Sequence, residues 1–98
     1  MEWSTSRGDG AVTLRIEGEL DASTVSAFRP LFDTLVAEQQ SRIVVDLSKL
    51  RLIDSMGVGC LVSLYKRVKE YGGVVTIHDP CEQPATIFKL LHLDRVLY

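Results

Sequence analysis

The segment Asp54-Ser55-Met56-Gly57-Val58-Gly59, entered through the apolar pair Leu52-Ile53, carries the most chemistry in this chain. A serine directly after an aspartate, where an apolar run gives way to glycines, reads as the first turn of a helix. The N–H groups there lack intrahelical partners, and the helix dipole favours an oxygen or an anion. Two roles fit. Asp54 or Ser55 caps the helix through an oxygen that accepts from a free N–H. Alternatively, the Ser55 hydroxyl stands at the lip of the domain as a site for a phosphoryl group. Gly57 and Gly59 keep the turn bare, so another backbone or a partner surface can approach closely. Met56 and Val58 read either as core residues or as apolar contact area beside the serine.

Other chemistries lack their residues. Gly57-Val58-Gly59 starts like a dinucleotide fingerprint, but Val62 stands where the third glycine belongs, and no phosphate-cradling G-x-x-x-x-G-K-[ST] loop follows. His78 and His92 have no partner at ligand spacing, and Cys60 and Cys81 form no C-x-x-C pair. Cys60 reads as a small core residue and Cys81 as a loop bystander. No nucleophile–base pair stands at a readable spacing, so the chain reads as a binding or switch protein, not an enzyme, with no cofactor and no metal.

The elements that position Asp54 and Ser55 follow from hydrophobic periodicity. Ala11 to Glu17 alternates strictly, with Val12, Leu14 and Ile16 on one face, a half-buried strand. Gly8-Asp9-Gly10 turns it back on a short strand around Glu2 to Thr5 as an antiparallel hairpin. Asp21 or Ser23 caps a helix whose apolar positions run from Val25 to Val36. Pro30 either kinks that helix or sits in the first turn where it restarts. Arg42 to Leu47, with its run Ile43-Val44-Val45, predicts a strand covered on both faces. A polar stretch, Ser48 to Leu52, leads to the helix at Ser55, which Gly72-Gly73 ends. Val74 to Ile77 is another strand, Pro84 suits the first position of a third helix, and Val96-Leu97-Tyr98 reads as a last short strand. Helices between strands permit parallel crossovers. The prediction is one α/β domain over residues 1–98: a small mixed sheet, antiparallel at its N-terminal edge, with about three helices.

Composition narrows the function classes. The 98 residues suffice for one domain, and 46% apolar with 24% charged is an ordinary globular balance. Eleven basic against 13 acidic residues, a net charge of −2, leave no surplus for holding nucleic acid. No apolar run approaches the roughly 20 residues of a membrane span, and Met1-Glu2-Trp3-Ser4 resembles no signal peptide. The expectation is a cytoplasmic protein without direct membrane insertion.

Three segments taken together resemble the STAS domain, above all the anti-sigma factor antagonists of bacterial stress and sporulation pathways. They are Glu17-Gly18-Glu19-Leu20-Asp21, Val45-Asp46-Leu47-Ser48 and Ile53-Asp54-Ser55-Met56-Gly57-Val58-Gly59. The likeness runs over nearly the whole chain. It implies a small mixed sheet with helices and Ser55 as the phosphorylated serine. Asp21 then corresponds to the loop aspartate near that serine, and Asp54 to the residue before it. The implied partner-binding set is Asp21, Asp54, Ser55, Met56, Gly57 and Val58. The implied partners are an anti-sigma factor with serine-kinase activity, bound when Ser55 is unmodified and released on its phosphorylation, and a metal-dependent serine phosphatase that resets the switch. Two departures stand out. Met56 replaces a second serine common in the family, and the chain ends at Tyr98, where many antagonists continue into a further helix. Short STAS proteins of that build also serve as subunits of lipid-transport ABC systems that contact the ATPase, which is the alternative reading.

Overall fold

The computed structural model describes residues 2–93. β1 (Glu2–Gly8) and β2 (Ala11–Leu20) pair antiparallel with Gly8 opposite Ala11, leaving Asp9 and Gly10 as a two-residue turn. Their φ angles of 52° and 74° are both left-handed, the geometry that follows strand twist in a tight hairpin. β1 runs three residues beyond the predicted Thr5, because pairing with β2 continues up to the turn. β2 likewise passes Glu17. Gly18, at φ 92°, takes up a register shift that lets the strand continue to Leu20.

β3 (Arg42–Asp46) lies parallel to β2, and β5 (Val74–His78) lies parallel to β3, giving the order β1-β2-β3-β5. β4 (Leu50–Ile53) pairs parallel with Gly18–Leu20 of β2. That strand corrects the reading of 48–52 as a polar stretch. Only Leu50 and Ile53 are buried in it, and its pairing is set by β2 rather than by its own short pattern. The expectation for β3 also changes. Ile43 and Val45 are fully buried, but Val44 is only half-buried, so one face is covered and the other is open.

The helices are α1 (Arg29–Ala37), α2 (Ser55–Glu70) and α3 (Glu82–Leu90). With the sheet they close one core that includes Leu14, Ile16, Ile43 and Val45 from the strands, and Phe28, Phe32, Leu61, Leu64 and Phe88 from the helical layer. The first helical segment breaks as one of the two Pro30 readings required: a 3-10 turn at Val25–Ala27, then α1 with Pro30 in its first turn. Neither Asp21 nor Ser23 caps α1, whose N-cap is Phe28 with no side-chain bond. α3 starts at Glu82, so Pro84 is its third residue, and it is buried. Gly72, at φ 85°, follows the end of α2 as predicted. The predicted strand Val96-Leu97-Tyr98 lies outside the described residues. Among the described residues no helix is long and apolar enough to cross a membrane.

Candidate functional site

The geometry at the start of α2 resolves the capping question. Asp54 is the N-cap, extended at φ −109°, and its Oδ1 accepts from Gly57 N at 2.9 Å. Its other oxygen, Oδ2, accepts from Ala22 N at 3.0 Å, 32 residues away in sequence. Asp54 N donates to Leu20 O at 3.2 Å. One carboxylate therefore caps the helix and also ties it to the loop that leaves β2. With Asp54 in that role, Ser55 is free for another. It is exposed at the first position of α2, and among the described residues nothing hydrogen-bonds its hydroxyl. Met56 beside it is 49% exposed.

Gly57 and Val58 face inward. A Cβ on Gly57 would collide with the Leu20 carbonyl oxygen and approach Ile53 Cγ1 to 2.7 Å. The close backbone approach predicted for the glycine is thus made by the protein's own β2. Val58 belongs to the core, the first of its two readings, and so does not present contact area at the surface. Gly59 fits the expectation of a bare turn, since a Cβ there meets nothing within 4 Å.

The loop after β2 is a compact polar turn. Asp21 Oδ1 accepts from Ser23 N at 2.9 Å and from Ser23 Oγ at 2.6 Å. Asp21 N donates to Thr24 Oγ1 at 2.9 Å, and that hydroxyl donates to Glu19 O at 3.1 Å. The Ser23 hydroxyl outweighs partial desolvation and holds the Asp21 carboxyl below its ordinary 3.8. An ionised Asp21 therefore sits on the loop that Asp54 fastens to the Ser55 turn.

Sequence reasoning missed Gln83. From α3, its Oε1 accepts from Ile53 N at 2.9 Å and its Nε2 donates to Ile53 O at 2.9 Å. The side-chain amide acts as a strand partner for the residue just before Asp54. No motif or period marks Gln83, because the bond joins residues 30 positions apart.

A groove of about 240 Å³ runs between the α1 and α2 sides of the helical layer. Val25, Arg29 and Phe32 line one wall, and Ser55, Met56 and Cys60 the other. Also on its walls, Arg67 Nη1 meets Asp33 Oδ1 at 2.8 Å. Burial pushes the Cys60 thiol up, against the opposing pull of the Arg29 charge, so it is protonated and a poor nucleophile. His78 is exposed and lies 3.3 Å from Thr76 Oγ1; both alternate with the core-facing Val75 and Ile77 and so stand on the open face of the sheet. Cys60, in the helical layer on the other face, forms no dyad with it. Among the described residues no group of three His, Cys, Asp or Glu side chains could hold a metal ion.

Residues 3–98 match the family model described as Mlab, STAS domain. The chain is 29% identical over 86 residues to the anti-sigma F factor antagonist of Paenibacillus polymyxa, covering 87% of this chain and 71% of that protein. It superposes on the crystal structure of a candidate anti-sigma factor antagonist from Thermotoga maritima with a TM-score of 0.90, at 26% identity, over 97% of this chain and 82% of that one. An anti-sigma factor antagonist from Mycobacterium paratuberculosis gives a TM-score of 0.82 at 26% identity over 98% and 81%. The fold order, the turn carrying Asp54 and Ser55, and the family match over almost the full length agree: the chain belongs to the STAS domain family.

Proposed function

We propose that this chain is an anti-sigma factor antagonist acting in the cytoplasm by partner switching at Ser55. Unmodified, it binds an anti-sigma factor that is also a serine kinase. The kinase transfers the γ-phosphoryl group of ATP to Ser55 Oγ, and the complex separates. A metal-dependent serine phosphatase restores the hydroxyl. The observation that carries this reading is the exposed Ser55 hydroxyl, which has no hydrogen-bond partner among the described residues because Asp54 does the capping.

The physics of the switch is local. Phosphate adds about 1.5 to 2 negative charges at neutral pH. The N-terminus of α2 tolerates an anion, so the fold survives. Asp21 and Asp54 already make this lip acidic. A partner surface that desolvates Ser55 and Met56 must then bury a dianion or leave. A loss of about 3 kcal/mol weakens binding by roughly two orders of magnitude. The contact surface comprises Asp21, Asp54, Ser55 and Met56, with Gly57 and Val58 packed behind it to hold its shape.

Mass spectrometry after incubation with a candidate anti-sigma kinase and ATP tests the reading. Phosphate on Ser55 supports it, and phosphate absent from Ser55 sinks it. The resemblance to short STAS proteins carries one second reading: a STAS subunit of a lipid-transport ABC system that contacts the ATPase. Co-purification with an ABC ATPase, unaffected by Ser55→Asp and without kinase binding, would select that reading instead.

A further inference from the structure

We propose that Arg29 is the intramolecular counter-ion of phosphorylated Ser55, drawing the phosphate into the groove between α1 and α2. The proposal rests on reading Ser55 as the phosphoacceptor and adds what receives the charge.

Four observations point to Arg29. It lines the same groove as Ser55. It has no ion-pair or hydrogen-bond partner among the described residues, whereas Arg67, the other arginine of the groove, is engaged by Asp33 at 2.8 Å. It is the first residue of α1, whose first turn holds no acidic side chain, so its charge stands against the helix dipole. Its charge also reaches the Cys60 thiol across the groove. An arginine that is exposed, unpaired and set against a dipole stabilises nothing visible in the unmodified protein. A phosphate on Ser55 supplies the missing anion and can accept a forked pair of N–H bonds. Among the described residues, the other charges around this phosphate are the carboxylates Asp21 and Asp54 at the lip and the mutually paired Asp33 and Arg67 in the groove. Arg29 is the free cation of that set. Once held there, the phosphate turns toward α1 and occupies groove surface next to Met56.

Phosphoserine encoded genetically at position 55 of the full chain tests this without any kinase. The readout is the second ionisation of the phosphate, followed by phosphorus NMR against pH at low ionic strength. An opposite charge at close range favours the dianion. Arg29→Gln is expected to raise that pKa by about half a unit or more, Arg29→Lys to keep most of the wild-type value, and the distant Arg7→Gln to change nothing. Identical titrations for wild type and Arg29→Gln overturn the proposal, as does an equal effect of Arg7→Gln. A failure here leaves kinase modification of Ser55 intact, and a failure of kinase modification leaves this titration readable.

Discussion

The Gln83 side-chain amide bonds both backbone polar groups of Ile53, each at 2.9 Å, so a residue of α3 covers the edge of β4 that pairs with no other described strand, immediately before the Asp54–Ser55 turn. At Ile53 that side-chain amide takes the place of main-chain pairing on this edge. Each bond contributes about 0.5–1.5 kcal/mol net. Gln83→Ala is expected to destabilise the domain by about 2 kcal/mol in urea unfolding. Amide exchange should accelerate first at Ile53. Unchanged exchange at Ile53 would show the pair to be incidental.

Asp54 should separate two contributions. Asp54→Ala removes the cap on Gly57 N and the tie to Ala22 N, and is expected to cost about 2 kcal/mol, at the upper end for a lost helix cap. Asp54→Asn keeps one acceptor oxygen and should lose about half as much. Equal losses in urea unfolding would mean that only one of the two bonds matters.

The two glycines of the turn predict opposite signs. Gly57→Ala drives a methyl group into the Leu20 carbonyl and Ile53. Overpacking of this kind costs about 1–3 kcal/mol, more than the roughly 1 kcal/mol that alanine gains in a helix. Gly59→Ala meets open space and should raise the melting temperature through helix propensity alone. Thermal unfolding of both variants checks the contrast.

The Ser55 substitutions report on binding rather than on folding. Ser55→Ala should retain the partner. Ser55→Asp should weaken binding by roughly two orders of magnitude while leaving the urea midpoint nearly unchanged, since a carboxylate suits a helix N-terminus. Calorimetric titration with a candidate anti-sigma factor separates the two, and equal affinities would contradict the proposed switch.

The acid limb of stability tests the loop. Asp21 has its folded pKa lowered, first by the Ser23 hydroxyl, so its contribution is complete above the ordinary 3.8 and is lost as pH falls through the lower folded value. Ser23→Ala should therefore be less stable than wild type at neutral pH. The gap should narrow only below about pH 4. Urea midpoints from neutral pH down to strong acid give the comparison. A gap independent of pH would assign the loss to something other than the carboxylate.

Local chemistry carried a definite part of this structure. The alternation of Val12, Leu14 and Ile16 is enough to specify a strand with one buried face, and Asp9-Gly10 is enough to turn it, because both depend only on neighbours in the chain. Asp54 before Ser55 and two glycines likewise specified a helix start and left two jobs for two oxygens. What the sequence could not decide was which oxygen took which job. Asp54 became the cap and the tie only because Gly18 bends β2 so that Leu20 and Ala22 arrive beside it, 32 residues away for the Ala22 bond. β4 was hidden for the same reason, since four residues with two buried positions form a strand only when Gly18–Leu20 lies alongside. Val58 went into the core and Met56 to the surface because α2 packs its stripe on the sheet, a choice set by where the helix docks. Periodic patterns fix elements through local sterics and burial; the division of roles between Asp54 and Ser55 is a contact between distant segments, and only the folded chain makes it.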